Sequence, residues 1–224
     1  MGIKELYLLA YNAGMCVGWG TILVKAIRHL AEGHDASTVY PDIAQLLCVA
    51  QTGAIAEILH AALGVVRSPV GTTFLQVLSR LIVLYGSVRI GDTDATKSLI
   101  FVQMLVAWCL SEIIRYSFYS ANLLRVNLSP LTWLRYSAFM VLYPVGITGE
   151  IGCLYKALPY IQKHKPWTVE LPNKLNFTFS WYNTVWFILL GIYPYGSYVM
   201  YSYMLAQRRK VFAKAASEKS KKST

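Results

Sequence analysis

Two residues of this 224-residue chain could work together as an acid and a base. Tyr143 and Glu150 bracket the segment Tyr143-Pro144-Val145-Gly146-Ile147-Thr148-Gly149-Glu150. A phenol can donate a proton, and a carboxylate shielded from water can accept one. A spacing of seven returns both side chains to one helix face, although a straight helix separates their α-carbons by about 10.5 Å. Pro144 removes the hydrogen bond to the carbonyl of Phe139 or Met140 and can bend the helix, which would shorten that separation. The same residues equally describe a kinked helix with an interfacial tyrosine and a glutamate reaching toward water. The residues alone leave the two readings even.

Five further ionisable groups, Glu57, Arg80, Glu112, Arg115 and Arg135, fall inside apolar stretches. At bilayer depth each costs roughly 2.5 to 3.5 kcal/mol to insert, so each needs a partner. With Glu150 they make three carboxylates and three guanidiniums, which predicts a bundle interior that pairs them. A structural ion-pair network is the favoured reading for these five. Glu112 and Arg115, three apart on one helix, can satisfy each other.

The elements that must position these groups are membrane helices. The chain is 55% hydrophobic and only 14% charged, with a mean hydropathy of +0.42. An ordinary soluble domain is roughly 25% charged. A disordered chain is excluded by the 13% aromatic content. Runs of about 20 apolar residues predict six spans: 6–27, 43–66, 72–88, 98–119, 131–158 and 181–203. No segment repeats another. The expected fold is an all-α integral membrane protein, a six-transmembrane helix bundle, with residues 1–207 as the membrane domain and 208–224 as a basic tail. The first run is too long for a signal-peptide core and is expected to stay as a span. From position 208 onward seven Lys and Arg stand against Glu218, giving six of the ten net positive charges. A polybasic segment beside a span faces the cytosol, so both termini are expected there. The last residues, Lys221-Lys222-Ser223-Thr224, have the form of a dilysine signal that returns membrane proteins to the endoplasmic reticulum, although a lysine-rich tail can produce it by chance.

Other chemistries find little support. The positive charge is concentrated in the tail, which argues against a nucleic-acid partner. The four cysteines are widely spaced within apolar runs and the four histidines are scattered, so no metal site is expected. Glu57-Ile58-Leu59-His60 has the spacing of a helical di-iron motif but lacks the second copy and the extra carboxylates. His60-Ala61 followed by Arg67 outlines a phosphatase loop whose nucleophilic cysteine is replaced by Ala61, which removes phosphatase catalysis there. The acceptor sequences at Asn127 and Asn176 are expected to go unglycosylated, the first as cytosolic and the second as too close to the membrane.

Several blocks in order carry a family resemblance: Ala56-Glu57-Ile58-Leu59-His60, Leu63-Gly64-Val65-Val66-Arg67-Ser68-Pro69-Val70, Gln76-Val77-Leu78-Ser79-Arg80, Ser111-Glu112-Ile113-Ile114-Arg115-Tyr116-Ser117-Phe118-Tyr119, Leu134-Arg135-Tyr136-Ser137 and Leu142-Tyr143-Pro144-Val145-Gly146, with Leu175-Asn176-Phe177 beyond them. The chain resembles the endoplasmic reticulum 3-hydroxyacyl-CoA dehydratases of very-long-chain fatty acid elongation, also called protein tyrosine phosphatase-like proteins, and in particular their plant PASTICCINO type. That resemblance implies a six-span enzyme of the endoplasmic reticulum membrane whose catalytic pair is a tyrosine and a glutamate seven apart on the fifth span, matched here by Tyr143 and Glu150. It implies dehydration of a long-chain (3R)-3-hydroxyacyl-CoA to the trans-2-enoyl-CoA, the third step of the elongation cycle. No cofactor is needed. The implied partners are membrane lipid and the condensing enzyme, ketoacyl-CoA reductase and enoyl-CoA reductase of the cycle.

Glu150 is the expected base and Tyr143 the expected acid, with the reverse open if Arg135 or another cation stands beside the phenol. Arg67, Arg125 and the tail could attract CoA phosphates, but the positive-inside rule already accounts for them. The competing readings are a catalytically inactive scaffold for elongation or phosphotyrosine partners, and a transporter, which the lack of an inverted repeat disfavours.

Overall fold

A computed structural model describes residues 2–174 and 176–222, without the side chains of 215, 216 and 218–222. The dilysine signal and Leu175 therefore fall wholly or partly outside the described residues. The chain runs α1 (Ile3–Ala31), α2 (Val39–Gly53), α3 (Ile55–Ala62), α4 (Val70–Val83), α5 (Leu99–Leu123), α6 (Ser129–Ser137), α7 (Phe139–His164), α8 (Trp181–Phe187) and α9 (Tyr193–Lys222). Two π-helical turns, Leu84–Val88 and Ile188–Ile192, follow α4 and α8. Among the described residues the only extended pairing is one bridge between Val169 and Phe179.

Local chemistry sets the boundaries. Asp35 caps the entry to α2, accepting from the Ser37 backbone N–H at 2.7 Å, and those Ser37 donors hold its carboxyl below the usual range. Pro130 opens α6, where the missing N–H costs nothing. At the end of α3 the chain turns at Gly64, with φ +67°. The N–H groups of Val65 and Gly64 then return to the carbonyls of His60 and Ala61. The segment with the phosphatase outline is therefore a helix cap.

Four helical stretches are long and apolar enough to cross a membrane: Ile3–Ala31, Ala36–Ala62, Val70–Val88 and Leu99–Leu123. A fifth forms if Ser129–Ser137 and Phe139–His164, bent by 41°, count together. Residues 181–203 are helical throughout but are not among them; they comprise α8, a π turn and the start of an α9 that runs on into the basic tail. Large apolar side chains also cover the outside, including Val17, Val24, Leu75, Val141 and Leu190. Such a surface suits lipid rather than water. The chain is a multi-pass helical membrane protein.

Successive spans alternate in direction. The Tyr7 hydroxyl meets His60 Nε2 at 2.9 Å, joining the start of α1 to the end of α3. At the opposite end His29 Nδ1 meets Asp42 Oδ2 at 2.7 Å. Helix α5 sits in the middle and packs most extensively on α1 and α7. It buries Phe101, Met104, Leu105, Trp108 and Tyr116, together with the charged Glu112 and Arg115.

The bend expected at Pro144 lies instead at Ala138, between α6 and α7. Pro144 sits inside a continuous α7. Thr148 Oγ1 donates to the Pro144 carbonyl at 2.9 Å, and Gln103 Nε2 of α5 donates to the Val145 carbonyl at 2.9 Å. Ser137, at the bend, is buried and accepts from Arg208 Nε at 3.1 Å. The first residue of the basic tail thus packs onto the bundle.

Candidate active site

Glu150 is the one buried carboxylate among the described residues with no cation paired to it. It lies in α7, held close to α5 by Gly149. A Cβ on Gly149 would stand 2.6 Å from the Met104 Cβ and 2.8 Å from the Met104 Cα, so only glycine permits this approach. Glu150 then meets two neutral donors. Trp108 Nε1 of α5 donates to Oε1 at 2.8 Å, and the Tyr193 hydroxyl of α9 donates to Oε2 at 2.8 Å.

Tyr143 lies two turns earlier on the same side of α7 and is half-buried. Its ring meets that of Tyr201 at 6.1 Å, and Ser197 stands beside its hydroxyl. Glu150 and Tyr143 therefore both face α9, the first opposite Tyr193 and the second opposite Ser197 and Tyr201. The structure brings the two to one seam but makes no hydrogen bond between them. A seam of this kind can offer a carboxylate and a phenol to a substrate lying along it.

Four of the other five predicted groups form one network. Arg115 bonds Glu57 on α3 and Glu112 on its own helix, with Nη2 donating to Glu57 Oε1 at 2.8 Å and Nε to Glu112 Oε2 at 2.9 Å. Arg80 on α4 pairs with Glu112 at 2.7 Å. The Tyr116 hydroxyl also donates to Glu57. Arg135 stands apart. Among the described residues it makes no ion pair and instead lies over the rings of Tyr119 at 5.9 Å and Tyr136 at 6.0 Å. A planar guanidinium is more weakly hydrated than an ammonium and stacks well on aromatic faces, which accounts for this placement.

The network reaches the Glu150 site through one side chain. The Arg80 guanidinium lies 5.3 Å from the centre of the Trp108 ring, and Trp108 is the indole that donates to Glu150. Neither Trp108 nor Tyr193 was singled out by the sequence. A signal for Tyr193 does exist: Tyr193-Pro194-Tyr195-Gly196 echoes Tyr143-Pro144-Val145-Gly146 at three positions of four, a short match within the expectation that no whole segment repeats another. Trp108 carries no comparable mark beyond preceding Glu112 by one helical turn.

Among the described residues no three His, Cys, Asp or Glu side chains are grouped to hold a metal. A groove of about 290 Å³ between α7 and α8, lined by Tyr155, Lys156, Tyr182 and Trp186, contains none of the candidate residues.

The chain is similar to curated proteins over nearly its whole length. The very-long-chain (3R)-3-hydroxyacyl-CoA dehydratase PASTICCINO 2A of Oryza sativa subsp. japonica is 41% identical over 216 residues, spanning 95% of this chain and 96% of that protein. The PASTICCINO 2 dehydratase of Arabidopsis thaliana is 40% identical over 219 residues, 96% of this chain and 97% of its own. The very-long-chain (3R)-3-hydroxyacyl-CoA dehydratase 2 of Homo sapiens is 37% identical over 213 residues, 94% of this chain and 82% of its own. No solved structure matches the chain. The family model described as protein tyrosine phosphatase-like protein, PTPLA, matches residues 51–214, a stretch that takes in the ion-pair network, the α7–α9 seam and every residue that touches Glu150. The chain belongs to the protein tyrosine phosphatase-like, PTPLA, family.

Proposed function

We propose that this chain dehydrates (3R)-3-hydroxyacyl-CoA to trans-2-enoyl-CoA in very-long-chain fatty acid elongation. The observation that carries the reading is the uncompensated buried carboxylate of Glu150 on the same face as Tyr143, in a chain about 40% identical to dehydratases over nearly its whole length. Glu150 takes the proton from C2, the electron pair forms the C2–C3 double bond, and the C3 hydroxyl leaves with a proton from Tyr143 as water. A proton passing from Glu150 back to the phenolate restores both groups. The groups acting on Tyr143 are Glu150 and Ser197, and Arg135 is engaged with Tyr119 and Tyr136. Among the described residues no cation is paired with the phenol, which supports Glu150 as the base and Tyr143 as the acid. The inactive-scaffold alternative leaves a buried carboxylate, costly in an apolar bundle, without a purpose.

The enzyme has six spans, with 181–203 as the last, and both termini in the cytosol of the endoplasmic reticulum membrane. Charge placement supports this. Lys4, Arg67, Arg125 and the tail share the end of the bundle where α1 begins, whereas Glu32, Asp35, Asp42, Asp92, Asp94 and Glu170 offset most of the cations at the other. The acyl chain enters among the helices with CoA at the cytosolic face, where the condensing enzyme and the two reductases of the cycle supply and remove the intermediates.

Purified protein given a long-chain (3R)-3-hydroxyacyl-CoA tests the reading. Turnover is expected in the wild type, with a loss of about 10² or more in Tyr143→Phe and Glu150→Gln. A well-folded but inert wild type would overturn it. If Tyr143→Phe alone abolished exchange of the C2 proton, the two roles would be reversed.

A further inference from the structure

Glu150 is gripped at both oxygens, and the grip is built by groups from two other helices. Trp108 Nε1 occupies one oxygen and the Tyr193 hydroxyl the other, each at 2.8 Å. A carboxylate offers about four lone-pair positions, so each oxygen keeps one for an incoming proton. Both donors are neutral. They fix the plane of the carboxylate without the countercharge that would quench it as a base, as Arg80 and Arg115 do for Glu112.

Each donor is itself held. Trp108 is buried, and one face of its ring is covered by the Arg80 guanidinium at 5.3 Å. Arg80 is pinned by Glu112 at 2.7 Å and by Ser111 Oγ at 3.3 Å, and Ser111 Oγ returns to the Trp108 carbonyl at 2.9 Å. Tyr193 is placed by backbone geometry. The π turn Ile188–Ile192 immediately precedes it, and an extra residue in a helical turn rotates everything after it by about 100°. That rotation accompanies a division of labour within one motif: the Tyr193 hydroxyl points at Glu150, while Tyr195 is 75% exposed on the outside.

We propose that Trp108 and Tyr193 are the positioning residues of this enzyme, a two-point clamp that aims the open lone pairs of Glu150 along the seam toward C2 of the substrate. The proposal rests on the dehydratase reading and deepens it. A carboxylate held at one point rotates about its terminal torsion, which is broad and roughly two-fold. Held at two points by separate helices it does not, and alignment of this kind is worth one to two orders of magnitude in rate.

The test uses the full-length protein in lipid nanodiscs with a long-chain (3R)-3-hydroxyacyl-CoA, unlabelled or deuterated at C2. Variants are Tyr193→Phe, Trp108→Phe and, as a control from the same motif, Tyr195→Phe, with thermal unfolding followed in each. Tyr193→Phe and Trp108→Phe are expected to lower kcat by about ten- to a hundredfold with KM within about threefold, and to enlarge the deuterium effect on kcat as proton abstraction becomes slower. Tyr195→Phe is expected to match the wild type. An active wild type that is silenced by Glu150→Gln, but whose Tyr193→Phe and Trp108→Phe variants keep full kcat, would overturn the clamp and leave the dehydratase reading intact. A fall in kcat without a larger isotope effect would also overturn it, because the loss would then lie outside proton abstraction. Should Trp108→Phe fail to fold, Tyr193→Phe decides by the same readouts. An inert wild type overturns both readings.

Discussion

Arg115 on α5 and Glu57 on α3 are joined by a two-pronged ion pair across 58 positions of sequence, with one prong, Nη2 to Oε1, at 2.8 Å. The same guanidinium serves Glu112, so one cation answers two carboxylates and ties α3 to the central helix. Removing it strands Glu57 and leaves Glu112 to Arg80 alone. Arg115→Met is expected to cost about 3–5 kcal/mol of stability, the typical penalty for leaving a buried charge uncompensated. Arg115→Lys should recover only part of this, because an ammonium lacks the planar fork that spans both partners. Thermal unfolding in detergent checks both, and equal midpoints for Lys and Met would contradict the two-pronged geometry.

Arg80 links that network to Glu150 through the face of Trp108. Arg80→Lys preserves the charge on Glu112 but loses the flat contact with the indole. Its expected signature is a kcat several-fold lower with an unfolding midpoint near that of the wild type, whereas Arg80→Gln, which leaves Glu112 to Arg115 alone, should lose both activity and stability. Steady-state kinetics beside unfolding curves separates the two effects.

Gly149 is the contact point of α7 and α5. Gly149→Ala puts a methyl against the backbone of Met104 and must push the helices apart, an overpacking that typically costs about 1–3 kcal/mol. Because Trp108 is on one helix and Glu150 on the other, activity is expected to fall further than stability implies. Activity at a temperature where the variant is fully folded tests this.

Arg135 makes aromatic contacts and no ion pair among the described residues. Arg135→Gln is therefore expected to cost about 0.5–2 kcal/mol, the range of cation–π contacts from exposed to desolvated, and to leave C2 proton exchange unchanged. A loss comparable to that of Arg115→Met would show a charge partner in the working enzyme.

The placement of the termini makes a separate prediction. Protease added to sealed, right-side-out endoplasmic reticulum vesicles should cut the chain within the basic tail and leave the acidic loops around Asp35 and Asp92 intact until detergent is added. Protection of the tail in sealed vesicles would invert the topology.

The sequence by itself determined the class of protein, the positions of the helices and the identity of the charged groups, because these follow from local quantities. Twenty apolar residues in a row read as a membrane helix wherever they occur. A charge within such a run must be explained, so Glu57, Arg80, Glu112 and Arg115 were legible as a set needing partners, and the 112–115 pairing followed from helical spacing alone. Tyr143 and Glu150 were likewise legible as one face of one helix. Who meets whom between helices was settled by packing. Nothing local distinguishes Arg135, which turns to aromatic rings, from Arg80, which reaches a carboxylate. The bend expected at Pro144 lies at Ala138, with Pro144 inside a continuous α7, so the proline alone does not fix where the helix bends. The donors to Glu150 come from positions 42 residues before and 43 residues after it, brought there by a glycine contact and a π turn. Those are properties of how three helices cross, and only the tertiary structure contains them.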